Sequence, residues 1–348
     1  MTRPHMHIRD LKPGALIDSV YSLVNPQTGV TRNGKCYFKV LLRDATGETA
    51  ARKWTFEESM LGEVSSTGYA RVLGRVELYS GQLQVVIDQI ESVQISREDL
   101  IALLPATTKD IPKMFEDVAV LLRSMEDPSM RALAEAYLCD ETMMAAFRQA
   151  PAATNVHHAW IGGLLEHTHQ LMQLAERMLP LYPGLNRDLV LMGLFLHDLG
   201  KTAELEWERG FSYTTDGNLI GHLVRGAVWL QVKSMVAGRS GPKLPPDALL
   251  ALQHIIVSHH GQLEHGAAKL PSTPEAIFVA ALDNLEAKTT LSIVAVARER
   301  LRSGNADFTE RVWSLDTRLY RPDPLKDVAH SARAADSSDH PAHDAPHA

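Results

Sequence analysis

At 348 residues, with 45% hydrophobic and 22% charged content, the chain is long enough to bury two cores and has the composition of an ordinary soluble protein. A formal charge of −7 argues against a protein that simply coats nucleic acid, because phosphate binding rests on Lys and Arg. The acidic excess falls wholly after residue 100, with 12 basic facing 12 acidic residues before it and 23 facing 30 beyond, so a modest nucleic-acid grip by the N-terminal part stays open.

The opening "MTRPHMHIRDLKPG" has no apolar leader. The longest apolar run, around Leu189 to Leu196, is too short to cross a bilayer, so a cytoplasmic protein without a membrane partner is expected. From about residue 13 to 96 the pattern predicts strands. "KCYFKVLLRDATGETAARKW" alternates apolar and polar residues around the turn-rich "DATGE", and "YARVLGRVELYSGQLQVVIDQIESV" does the same around Gly81. Four or five such strands predict a small closed barrel, of which the oligonucleotide-binding (OB) fold is one common case. Cys36 lies in this region and Cys139 far beyond it, neither with a CxxC partner, which excludes a disulfide framework and a thiolate zinc site.

After Arg97 the pattern turns helical. "IPKMFEDVAVLLRSM" and "PSMRALAEAYLCDETMMAAFRQA" carry apolar residues at three- and four-residue spacing, each with a proline near its start. Helical patterns are expected to run to about Leu319. The remainder, residues 321–348, is rich in Pro, Ala, Asp and Ser and reads as a disordered tail.

Histidine is frequent, with 16 in the chain, and unevenly placed. In "WIGGLLEHTHQLMQLAERML" His167 and His169 fall on opposite edges of one apolar stripe, so at most one faces a given site; Glu166 points to the polar face and reads as structural. "DLVLMGLFLHDLGK" is apolar nearly all round, hence central, with Gly200 as the expected helix stop. It sets His197 and Asp198 against the core, where an unpartnered carboxylate costs at least several kcal/mol by ordinary estimates. A salt bridge to Lys201 or an arginine is one answer and a metal ion the other. Later segments favour the ion. "GNLIGHLVRGAVWL" puts His222 on a helix after a glycine-bearing turn, and "LLALQHIIVSHHGQLEHG" ends a helix at His259 and His260 with Gly261 as its cap. "STPEAIFVAALDNLEAK" opens with a capping box, Ser272 to Glu275, and then buries Asp283. Two buried acids among these histidines need cations, and imidazole with carboxylate suits Mn, Fe, Co, Ni or Zn.

The series "HHAWIGGLLEHT", "HDLGK", "LIGHL", "SHHG" and "ALDNLEAK" resembles the HD superfamily of metal-dependent phosphohydrolases, and within it the YhaM-type 3′-to-5′ exoribonucleases. The resemblance covers about residues 13 to 320. It implies an N-terminal all-β OB-fold barrel (13–96) followed by an all-α HD domain (97–320). Carried over, His167, His197 and Asp198 match the first metal ligands and Asp283 the last. His222 with His259 or His260 matches the enzymes that hold two metals, Asp198 being the bridge, with manganese the first choice of ion. Lys201 is placed to contact a phosphate oxygen as a second catalytic group beside Asp198. His157 and His158, just before the first ligand helix, are implied to face the substrate.

The expected activity is 3′-to-5′ hydrolysis of single-stranded RNA, and also of single-stranded DNA, to nucleoside 5′-monophosphates. The barrel would hold the strand with Tyr37, Phe38 and Trp54 for stacking and Lys39, Arg43 and Lys53 for phosphates. A phosphohydrolase acting on small nucleotides is one rival, weakened by the barrel. A non-catalytic single-strand-binding factor is another, weakened by the full ligand set. A homo-oligomer is left open.

Overall fold

Side chains along Cys36–Asp44 alternate between two faces, with Phe38, Val40, Leu42 and Asp44 buried and Lys39 exposed. Four neighbouring segments pair with that strand or with one another. The computed structural model describes residues 5–31, 33–79, 81–96, 103–154, 158–207, 211–301, 307–323 and 325. In it β1 (Leu16–Val30), β2 (Cys36–Asp44), β3 (Gly47–Lys53), β4 (Tyr69–Tyr79) and β5 (Gln82–Ser92) close into a barrel of order β1-β2-β3-β5-β4. Every pairing is antiparallel except the β3–β5 closure, and a short helix α1 (Leu61–Ser65) fills the step between β3 and β4. That connectivity is the OB fold. Gly81, at φ +79°, makes the tight turn between β4 and β5.

The barrel core draws on Ile8 and Leu11, upstream of the expected start at residue 13. It also contains Phe38, fully buried and stacked on Phe56 at 4.8 Å. Phe38 is therefore not a surface for bases. Its neighbours in sequence, Tyr37 and Lys39, take the outward face because successive strand residues point opposite ways.

The helical part has α2 (Ile111–Arg123), α3 (Pro128–Leu138), α4 (Glu141–Gln149), α5 (Gly163–Met178), α6 (Arg187–Leu196), α7 (Lys201–Glu204), α8 (Thr215–Leu219), α9 (Gly221–Ser240), α10 (Pro246–Ser258) and α11 (Pro274–Leu301). The single long pattern expected from Pro128 divides at Asp140, whose carboxylate caps α4 by accepting from the Met143 amide. The cap of α11 is Thr273, which accepts from the Ala276 amide, one residue later than the expected Ser272 box; Glu275 instead accepts from the Asn186 amide. α6 is central as its composition demands, buried from Val190 to Leu196, with Tyr137 and Phe147 edge-on to Phe195, each at 5.7 Å.

A small apolar cluster of Tyr69, Leu103, Leu104 and Ile161 joins barrel to helices, and both belong to one unit, residues 1–287. The second unit, 288–348, contains a hairpin of β8 (Phe308–Val312) and β9 (Thr317–Tyr320), so helix does not continue to Leu319; another two-residue pair, β6 (Leu205–Glu206) and β7 (Ser212–Tyr213), interrupts the helical region. The expected tail lies, from residue 326 on, outside the described residues. No described helix is long and apolar enough to cross a membrane.

Because Phe38 fills the barrel core, Phe38→Ala should destabilise the protein by about 3–5 kcal/mol. A urea titration of the barrel would show it; an unchanged midpoint would return Phe38 to the surface.

Candidate metal centre

Four helices and a turn bring imidazoles to one buried place. His167 comes from α5, His197 from the end of α6, His222 from the start of α9, and His259 with His260 from the end of α10. Asp198 follows His197 in the turn after α6. Gly200 is needed there for close approach: a Cβ would lie 2.2 Å from the His222 carbonyl oxygen. At φ −59° it is not the left-handed helix stop the sequence suggests.

Each of four rings is tied at Nδ1. His197 Nδ1 donates to the Leu194 carbonyl at 2.7 Å and His259 Nδ1 to the Ile256 carbonyl at 2.9 Å, both three residues back in their own helices. His167 Nδ1 meets Glu286 at 2.7 Å and His222 Nδ1 meets Glu204 at 2.9 Å. With Nδ1 donating, a neutral ring carries its lone pair on Nε2, and all four Nε2 atoms point at Asp198. Oδ1 of Asp198 lies 3.4 Å from His259 Nε2 and 3.5 Å from His222 Nε2; Oδ2 lies 3.4 Å from His197 Nε2 and 3.8 Å from His167 Nε2. Asp283 adds an oxygen 3.2 Å from His167 Nε2.

The donors fit divalent cations. The ligand atoms of Asp198, His222, His259 and His260 all lie within 4.8 Å of one another, as do those of His167, His197 and Asp198. Three of these buried atoms, Asp198 Oδ1, His222 Nε2 and His260 Nδ1, have no hydrogen-bond partner. His167 and His197 bring Nε2 atoms to 3.3 Å, a contact of lone pairs unless a proton or a cation lies between. The proton serves without metal: burial alone would lower the His167 imidazole, but bonds to Asp283 and Glu286 raise it to about 10. Burial holds His259 down, though Asp198 opposes it, and burial together with the charge of His259 takes His260 to about 4, which keeps their lone pairs free. Burial would raise Asp198, yet Lys201 and His197 keep it well below the usual carboxylate range.

Lys201 Nζ is 2.7 Å from Asp198 Oδ2 and its side chain is 16% exposed, so it is a half-buried partner of the cluster at the start of α7 and not a solvated lysine. His158 departs from expectation. It is fully buried, with Nε2 2.7 Å from Glu286, so its side chain is not open to a substrate. His157 lies outside the described residues. His169 turns away from the cluster to Asp117 and Gln173. Glu166 is buried, not on a polar face, and accepts from Thr107 and Trp160 beside Lys109.

Sequence reasoning missed Glu286 and Glu204. Glu286 sits one helical turn beyond Asp283, the spacing that puts two side chains on one face, which was the signal available. Glu204 had none, because the approach of α7 to α9 is tertiary.

On the barrel, Tyr37 and Trp54 form an outer pair with rings 5.7 Å apart, Lys39 is exposed opposite Arg52, and the Arg52 guanidinium lies 5.6 Å from the Trp54 ring and 5.5 Å from Tyr79. Arg52 and Tyr79 were not singled out in the sequence. Two expected phosphate contacts are already engaged: Arg43 pairs across the strands with Glu48 at 2.6 Å, and the Lys53 ammonium bonds the Asp88 carbonyl.

The HD domain family matches residues 164–288. The chain is 33% identical over 311 residues to the 3′-5′ exoribonuclease YhaM of Geobacillus sp. (strain WCH70), covering 87% of this chain and 91% of the relative. It is 31% identical over 316 residues to that of Bacillus subtilis (strain 168), covering 89% and 96%. The second OB-fold domain of replication protein A from Methanococcus maripaludis aligns with 27% of this chain and 98% of its own at 20% identity and a TM-score of 0.21.

Glu286 holds both His158 and His167, so Glu286→Gln should weaken metal binding roughly 10- to 100-fold, as loss of such outer partners does. Titration of metal-free protein with Mn²⁺ measures this. An unchanged affinity would mean that the carboxylate does not orient His167.

Proposed function

The chain belongs to the YhaM family of HD-domain 3′-to-5′ exoribonucleases, and on that footing we propose that it shortens single-stranded RNA, and single-stranded DNA as well, from the 3′ end to nucleoside 5′-monophosphates in a metal-dependent reaction. The observation that carries the reading is the division of Asp198, one oxygen toward His222 and His259 and the other toward His167 and His197. A carboxylate so divided suits a bridge between two divalent ions per chain, manganese first and Fe, Co, Ni or Zn otherwise. When bound, such ions supply a hydroxide at neutral pH and neutralise charge on the phosphate under attack.

The protein's own residues do the rest. Leu194, Ile256, Glu286 and Glu204 fix the rings, so that no reorientation is needed on binding. Lys201, held against Asp198, is the side-chain cation best placed to share a phosphate oxygen. Neutral imidazoles leave net positive charge at the site, which a phosphodiester requires.

The barrel, residues 13–96, would grip the strand while the helical part to residue 320 cuts it. Its outer face offers Tyr37, Trp54 and Tyr79 for stacking and Lys39 and Arg52 for phosphates, a combination that binds single strands with little sequence preference. This face also speaks against a small nucleotide as the substrate, because a mononucleotide needs no extended platform.

The direct test is a time course of metal-loaded protein on 5′-labelled single-stranded RNA. A ladder shortening from the 3′ end with 5′-monophosphate products is expected; a single internal cut would overturn the reading. Asp198→Ala should lower the rate more than about 100-fold, beyond what loss of an outer partner costs, with metal content falling in parallel; a variant retaining a tenth of the rate would sink the role of Asp198. Trp54→Ala should weaken binding of a long unstructured RNA roughly 5- to 150-fold, the equivalent of about 1–3 kcal/mol per stacked base, at unchanged thermal stability. Fluorescence anisotropy reads that loss, and equal binding by the variant would remove Trp54 from the strand path.

A further inference from the structure

Upstream of the barrel, His7 is extended, at φ −68° and ψ 143°, and Met6 beside it packs against the barrel core. The backbone of Met6 is anchored on β1: its amide donates to Ser19 Oγ at 3.0 Å and its carbonyl accepts from the Tyr21 hydroxyl at 2.6 Å. Ile8, next along, is buried in the barrel core. The two rings, 4.8 Å apart, thus sit on a backbone anchored independently of the His7 ring nitrogens.

Both face Asp44 at the end of β2. His5 Nε2 is 3.1 Å and His7 Nδ1 3.6 Å from the same oxygen, Oδ2. The Asp44 carboxylate is itself fixed, with Oδ2 accepting from the Ile8 amide at 2.8 Å and Oδ1 from the Thr46 amide and hydroxyl at 2.7 and 2.6 Å. His7 Nδ1 is buried and has no hydrogen-bond partner. One oxygen that already accepts from Ile8 and His5 does not satisfy it.

We propose that His5, His7 and Asp44 form a second metal site, for a zinc-class ion, that clasps the N-terminal segment to the barrel. The donor set is two imidazoles and one carboxylate, a combination suited to Zn²⁺ and its neighbours. Their ligand atoms lie within 4.8 Å of one another. Bonds of about 2.0–2.1 Å in a tetrahedron put neighbouring donors roughly 3.3–3.4 Å apart, and the two nitrogen-to-oxygen distances of 3.1 and 3.6 Å bracket that edge. The hydrogen bonds from Ile8 and Thr46 are the outer support that ligating carboxylates have. The site uses none of the residues of the HD cluster, so it stands or falls apart from the nuclease reading.

The test compares the full chain with His7→Ala and with the double variant His5→Gln/His7→Gln. Each is stripped, dialysed against Zn²⁺ or Co²⁺, and assayed for ions per chain and for the visible absorption of Co²⁺. Both variants should hold one ion fewer than the full chain and lose part of the tetrahedral Co²⁺ absorption. Zn²⁺ should raise the melting temperature of the unmodified chain by more than that of either variant. The His7 side chain is 36% exposed, so its truncation leaves the barrel core intact; hydrolysis of a short oligonucleotide at the HD site should be unchanged. Equal ion counts and superimposable spectra would overturn the proposal and leave His5 and Asp44 as a simple ion pair.

Discussion

A carboxylate buried just past the end of the apolar helix α6 governs this molecule. Asp198 is 3% exposed, and a charge so placed is costly unless cations and donors surround it. Five imidazoles and the Lys201 ammonium are gathered about it, His197 and Lys201 from its own turn and the others from α5, α9 and the end of α10, and the packing of these helices brings them there. The arrangement also explains why a helix as apolar as α6 ends on two polar residues. The rest of that helix is buried, and the turn after it keeps His197 and Asp198 out of water.

Orientation is secured at a second level. The ring of His197 and the ring of His259 use carbonyls of their own helices, an arrangement available only to a residue just past a helix end, where carbonyls lack amide partners. His167 lies inside its helix, where those carbonyls are taken, and His222 lies at the start of its own, where no helical turn precedes it, so Glu286 and Glu204 hold them instead. Position within the helix thus decides which kind of outer partner each ligand has. Gly200 completes the arrangement by letting the turn after α6 touch the backbone of α9.

The barrel shows the same economy by parity. Alternate residues of β2 divide between a core of Phe38, Val40 and Leu42 and an outer face with Tyr37 and Lys39. Pairing with β3 then aligns Lys39 with Arg52 and Arg43 with Glu48, giving one free basic pair and one neutralised pair on the same surface. The aromatic residues that stay outside cluster around Arg52 at the end where the β4–β5 turn also lies.

Periodicity and residue type, both local, were enough in the sequence to separate strands from helices near residue 97, to mark α6 as central, and to single out His167, His197, Asp198, His222, His259, His260 and Asp283, because polar residues at helix ends or on apolar helices stand out against their neighbours. The resemblance of five short motifs supplied the family. Parity could have excluded Phe38 from the outer face, yet which parity is inward depends on the closed barrel. The capping residue of α11 and the break at Asp140 turned on single side-chain bonds that composition does not express, and the hairpin after Phe308 on strand pairing. Glu286 reaches His167 across 119 residues and Glu204 reaches His222 across helices, so their roles were decided only when the chain had folded. Sequence spacing fixes which face of an element a side chain takes; which atoms then converge is set by how the elements pack, because a hydrogen bond depends on distances of a few tenths of an ångström that no local pattern records.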